Sequence, residues 1–174
     1  MKIYFVTHST TTDSEAGLAS GWSDTGLSET GIRQAGELGG RFKNIKLDLI
    51  YCSDLPRAVE TEETAFRGKI PVVTDKKLRE IDCGELTGKP AEIVKPMDNK
   101  WIDGPFPAGE SYRQAVARVH DFLRGMIATS KEKTVLVVGH RATQFGLDTY
   151  TGIRRIEECL SVPFRWQPYW EYEF

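Results

Sequence analysis

Cysteine is scarce: three residues in 174, with no C-x-x-C pair, offer neither a disulfide framework nor a zinc spacing. Cys52, Cys83 and Cys159 read as buried or half-buried thiols of a reducing compartment, Cys83 lying close to residues that carry chemistry below. Long apolar runs are missing, so no segment reads as a membrane span. The chain enters a strand pattern directly, without the charged and apolar regions of a leader, and a cytoplasmic protein is expected. Neither sign of charge is in excess. Lys plus Arg number 23 and Asp plus Glu 25, for a net charge of −2, and no basic patch or tail marks a nucleic-acid or anionic-membrane binder. No G-x-G-x-x-G follows a strand, and no Walker P-loop is present. No repeat or linker divides residues 1–174, which read as one domain able to bury a substantial core.

Histidine is equally scarce, at three residues, and its placement is informative. "KIYFVT" runs apolar to His8, and "TVLVVG" runs apolar to His140. Two of the three histidines therefore end the two most strand-like runs in the chain. "LDLIYCS" and "IPVVTD" read as further strands, and the aromatic tail after Pro168 as an edge strand. Helices are predicted over "GLSETGIRQAGELGGRF", with Ser28 as N-cap and Ile32, Ala35, Leu38 and Phe42 on one face. "DLPRAVETEETAF" is expected to be capped by Asp54, and "ETEET" within it to face solvent. "ESYRQAVARVHDFLRGMI" places Tyr112, Val116, Val119, Leu123 and Ile127 on one face, and leaves His120 solvated beside Asp121. A last helix is predicted from about Ala142 to Tyr150. Residues 84–109, with Gly84, Gly88, Pro90, Pro96, Gly104, Pro105, Pro107 and Gly109, read as an irregular excursion in which Trp101 lines the substrate mouth. The remaining aromatics read as core and edge packing.

Alternation of strands and helices predicts an α/β fold with a mostly parallel central sheet. In such sheets ligands sit at the carboxyl ends of the strands. Those ends present His8, then Arg57 after "SDLP", then Glu80, Asp82 or Glu85 in "KLREIDCGELTGK", then His140. That set suits phosphoryl transfer. A neutral imidazole can attack phosphorus, an arginine fork matches phosphate oxygens, and a carboxylic acid can protonate the leaving oxygen. Cationic side chains can supply charge stabilisation without a metal, so no metal or cofactor is required.

In order along the chain stand "FVTHSTT", "SGWSDTGLSETG", "SDLPRAVETEETA", "LREIDCGELTG", "PAGESYRQAVARV" and "VLVVGHRA". The set, running from about residue 3 to 145, resembles the histidine phosphatase superfamily, also called phosphoglycerate mutase-like. The resemblance implies a three-layer fold with helices on both faces of the sheet. It implies that His8 is the nucleophile and becomes phosphohistidine, that Arg57 and His140 grip the phosphoryl group, and that Glu80 is the general acid and then the base. Ser20 would be a minor substrate contact. Three positions depart from the pattern: Thr7 stands where the family has arginine, Ser9 where it has glycine, and Arg141 where it has glycine after the second histidine. Thr7, Ser9 and Arg141 are then expected around the phosphate, with Arg141 supplying the guanidinium that Thr7 lacks.

The expected activity is metal-independent hydrolysis of a small phosphorylated metabolite. A phosphoglycerate mutase-type transfer is the nearest rival, set back because residues 84–109 are shorter than the insertion that the resemblance leads one to expect in cofactor-dependent mutases. A phosphoryl-ligand binding module with impaired catalysis is the rival that Thr7 favours. The exposed aromatic edge could pair with a second copy, giving a homodimer.

Overall fold

The computed structural model describes residues 1–94 and 100–174; Pro96 of the irregular excursion lies outside them. Five strands form one sheet: β1 Lys2–Thr7, β2 Leu49–Cys52, β3 Val72–Thr74, β4 Thr134–Gly139 and β5 Trp170–Glu173. Their order is β3-β2-β4-β1-β5. β1 and β2 each run parallel to β4, β3 runs parallel to β2, and only β5 is antiparallel, paired to β1. The helices, in chain order, are α1 Thr12–Glu15, α2 Glu29–Arg41, α3 Pro56–Phe66, α4 Ala91–Val94, α5 Lys100–Asp103, α6 Tyr112–Thr129, α7 Arg141–Tyr150 and α8 Ile156–Ser161.

Strand alternation builds the three layers. Ile3 and Phe5 of β1, with Val135 and Val137 of β4, face one side and pack on Val119, Leu123 and Leu147 of α6 and α7. Tyr4, Val6, Leu136 and Val138 face the other side and pack on Leu38, Phe42, Ala58 and Phe66 from α2, α3 and their ends. A residue such as Phe5, fully excluded from water, contributes roughly 1.5–3 kcal/mol of transfer free energy. Cys52, Cys83 and Cys159 are all buried and unpaired, in line with their scarcity.

Four sequence expectations are corrected here. Ile32 is 52% exposed, and the inward position on α2 belongs to Gly31 instead. A Cβ at Gly31 would sit 1.9 Å from the Thr10 carbonyl oxygen, so the helix can approach that loop only through glycine. Asp54 does not cap α3; Leu55 stands at the cap without a side-chain bond, and Pro56 opens the helix. The Asp54 carboxylate takes a two-point bond from Arg79 instead, at 2.7 and 2.7 Å. "ETEET" is not a solvent face, since Thr61 and Glu62 are buried. Trp101 stacks on Phe106, ring centroids 4.5 Å apart, in a satellite cluster under α6. A stripe of charged residues on a helix reads as solvated, yet α3 is covered on both flanks, by the sheet and by α2. Among the described residues, no helix is long and apolar enough to cross a membrane.

Candidate active site

His8 follows directly from β1. Its backbone N–H donates to the Gly139 carbonyl at 2.9 Å, which continues the β1–β4 ladder by one step. His140 follows β4 in the same way, so two adjacent parallel strands deliver two imidazoles side by side. Their ring centroids are 5.1 Å apart. Gly139 makes the turn possible: a Cβ there would lie 2.5 Å from Thr143 Oγ1. That hydroxyl accepts the His140 N–H at 3.1 Å and donates to the Leu78 carbonyl at 2.8 Å, tying α7 to the loop after β3.

The tautomer of His8 can be read from its neighbour. Nδ1 lies 2.7 Å from the Ser9 carbonyl oxygen, which can only accept. Nδ1 therefore carries the proton in the neutral ring, leaving the lone pair on Nε2. Burial and the nearby Arg57 charge lower the His8 pKa to about 4, against a smaller opposing effect of the Ser9 carbonyl. His140 is fully buried. Burial first, then the cost of charging it beside His8 and next to the Arg57 charge, push its pKa well below the ordinary histidine value. Its Nε2 is 2.8 Å from Ser53 Oγ, while its Nδ1 is buried without a hydrogen-bond partner.

Arg57, in the first turn of α3, is 1% exposed. Its Nη2 donates to the Gly21 carbonyl at 2.8 Å and its Nη1 to the Ser23 carbonyl at 3.1 Å. Nε is buried and unpartnered. Thr61, one turn on, accepts the Ser9 N–H at 2.9 Å and donates to the Arg57 carbonyl at 2.7 Å, so α3 holds the loop after His8.

Of Glu80, Asp82 and Glu85, Glu80 reaches the cleft beside His8, whose volume is about 630 Å³. Glu80 Oε2 accepts the Arg141 N–H, and Oε1 the Ala142 and Ile81 N–H groups, at 3.1, 3.1 and 2.8 Å. Its carboxyl thus sits at the first turn of α7, where the helix dipole favours an acid. Asp82 Oδ1 instead accepts from the Gly84 N–H within its own turn. The Glu80 main chain is fixed by Arg118, which the sequence reading missed. Arg118 donates to the carbonyls of Lys77, Arg79 and Glu80 at 2.8, 2.7 and 2.8 Å and pairs with Glu110.

Thr7 and Ser9 line the same cleft. Arg141 lines it too, but its guanidinium is committed to the chain's tail. It donates to Gln144 Oε1 at 2.8 Å and the Val162 carbonyl at 2.9 Å, between the Phe145 and Phe164 rings. Ser20 stands outside the cleft and closes the turn, Ser20–Ser23, whose carbonyls hold Arg57. His120 is half-buried rather than freely solvated: its Nε2 lies 2.8 Å from Thr149 Oγ1 and its ring meets Tyr150 edge-on. Among the described residues, no three His, Cys, Asp or Glu side chains cluster as metal ligands.

Buried polar atoms without partners cost about 1–3 kcal/mol each, and they mark places where a ligand is due. Among the described residues three such side-chain atoms stand out, and two of them, Arg57 Nε and His140 Nδ1, belong to the neighbours of His8. Both atoms lie on side chains next to the His8 ring, and Arg57 Nε–H is a donor free for an anionic ligand.

Comparison with known proteins gives a consistent answer. A model of the histidine phosphatase superfamily (branch 1) matches residues 3–147. "Probable phosphoglycerate mutase GpmB" of Proteus mirabilis (strain HI4320) is 29% identical over 176 residues, covering 91% of this chain and 82% of that protein. Its namesake in Yersinia pestis (strain Pestoides F) is 31% identical over 149 residues, covering 80% and 69%. Among solved structures, Bacillus stearothermophilus YhfR superposes with a TM-score of 0.86 at 27% identity, over 99% of this chain and 90% of that one. A mycobacterial glucosyl-3-phosphoglycerate phosphatase complexed with VO3 superposes with a TM-score of 0.78 at 23% identity, over 93% and 87%, a likeness of fold.

Proposed function

Because this chain belongs to the histidine phosphatase superfamily, we propose that it is a phosphomonoesterase working through phospho-His8, without a metal. The observation that carries the reading is the pair of buried, unpartnered ring and guanidinium nitrogens, His140 Nδ1 and Arg57 Nε, beside a neutral imidazole. In the first step His8 Nε2 attacks phosphorus. The N–P bond forms as the bond to the ester oxygen breaks, and that oxygen keeps the electron pair and takes a proton from Glu80. In the second step water attacks phosphorus and gives a proton back to Glu80. The N–P bond breaks, the pair returns to Nε2, and inorganic phosphate leaves. Arg57 and His140 stabilise the charge on the non-bridging oxygens in both steps.

The test is release of inorganic phosphate from p-nitrophenyl phosphate in the presence of EDTA. Turnover should be unaffected by the chelator, and water should receive the phosphoryl group even when glycerol is offered as an acceptor. Transfer mainly to the acceptor would favour the mutase reading, and loss of turnover in EDTA would overturn the metal-free one. The same assay reads the His8 environment. The neutral ring is the nucleophile, so kcat/KM should hold as pH falls through 6.5 and decline only near pH 4. A decline centred at 6.5 would mean that burial does not act on His8 as described.

Glu80 has its own signature. Glu80→Gln should cost ~10² to 10⁴ in rate for alkyl esters, whose leaving oxygen needs a proton, and clearly less for p-nitrophenyl phosphate. An equal loss for both would show that Glu80 only positions α7.

A further inference from the structure

The cleft holds far more than a phosphoryl group, and the chemistry above uses only one end of it. At that end lie Thr7, His8, Ser9 and Glu80. The rest is lined by Gln34, Glu37, Leu38 and Arg41 of α2 and by Phe164, Trp166, Gln167 and Pro168 from the segment that joins α8 to β5. There the surface changes character. Leu38 forms an apolar floor, and two large aromatics stand open to water, Phe164 at 48% and Trp166 at 59% exposed. Exposed aromatic rings that line a cleft beside a reactive group suit a flat apolar ligand.

The two arginines on this cleft differ in what binds them. Arg141 is held by Gln144 and the Val162 carbonyl and packed between two rings. Arg41, in the last turn of α2, lies over the Trp166 ring at 4.6 Å from its centroid. Among the described residues its charged partner is Glu37, at a loose 3.9 Å along the same helix. A guanidinium stacked on an aromatic face keeps its in-plane donors directed outward, where they match a carboxylate or phosphate edge.

We infer that this far end is the leaving-group subsite, and that it takes phosphate monoesters of a planar aromatic alcohol carrying a second anionic group, the ring against Trp166 and Phe164 and the anion on Arg41. The inference rests on the phosphomonoesterase reading for its reaction, and it names the substrate class. Arg41 and Trp166 act on recognition of the alcohol half, not on the transferring phosphorus.

Three esters test it: phenyl phosphate, 4-carboxyphenyl phosphate and glycerol 2-phosphate. Ratios of kcat/KM are compared between variants, so that intrinsic leaving-group reactivity cancels. Arg41→Gln should lower the carboxyphenyl-to-phenyl ratio about tenfold, the size of one lost charge-assisted hydrogen bond. Trp166→Ala should lower the phenyl-to-glycerol ratio about tenfold, through lost ring contact. Either ratio left unmoved overturns the assignment. If the native chain hydrolyses none of the three esters, the phosphatase reading fails by itself. The subsite is then decided by calorimetric binding of 4-carboxyphenyl phosphate: affinity about tenfold weaker in Arg41→Gln upholds it, and equal affinity overturns it.

Discussion

Replacing His8 by alanine is expected to lower turnover of p-nitrophenyl phosphate by roughly 10⁴-fold or more, the scale seen when a covalent nucleophile is removed. The reason lies in what remains. Arg57, His140 and Glu80 keep their places, because their hydrogen bonds run to Gly21, Ser23, Ser53 and the first turn of α7, not to the His8 side chain. On the proposed mechanism the groups that hold the phosphoryl oxygens persist, but direct attack by water must replace attack by a positioned imidazole. Rapid quench with a labelled ester separates this from a general loss of structure. The native chain should retain acid-labile, alkali-stable label, and His8→Ala should retain none. Full labelling of the variant would move the nucleophile elsewhere.

Arg57→Ala is expected to cost about 10³-fold in kcat/KM, within the range for loss of an arginine that stabilises a transferring phosphoryl group. A buried guanidinium is unfavourable in itself, and burial lowers the Arg57 pKa. The Gly21 and Ser23 carbonyls offset part of that cost while fixing the plane of the group. Arg57→Lys is the sharper variant. It keeps a positive charge in the site but loses the planar fork, so it should recover less than a tenth of the missing rate. Recovery to near the native rate would mean that charge alone matters there. Melting temperature measured alongside separates the loss of packing from the loss of catalysis.

How much of this was legible in the sequence follows from which interactions are local. The four parallel strands and the histidines that end two of them are written in short apolar runs, and the structure has the expected three-layer α/β fold. The ordered motifs carried the family, which the match over residues 3–147 shows. What escaped is set by partners far along the chain. Thr61 reads as part of an acidic, solvated run, yet it bonds Ser9, 52 positions away. Arg118 reads as one more helical cation, yet it binds three carbonyls about 40 positions upstream. Ile32 satisfies the helical period but loses its place to Gly31, because backbone from another segment comes too close for any side chain. Phe164 and Trp166 alternate with Arg165 and Gln167 and read as edge packing, yet both stand exposed and wall the cleft.

The pairing of β1 with β4 has a consequence for how the molecule comes together. Lys2 sits opposite Thr134 and Thr7 opposite Gly139, so the two imidazoles are joined only by closing a loop of about 130 residues. Contacts of such separation are slow to form, because the entropy of closing the loop is spent before the contact rewards it. β2 and β3 can pair early over a short crossover, but they cannot bring His8 to His140. The strand that does so inserts between β2 and β1. The pairing of His8 with His140 is therefore a property of the finished sheet: a chain short of that insertion presents a lone histidine at an open edge.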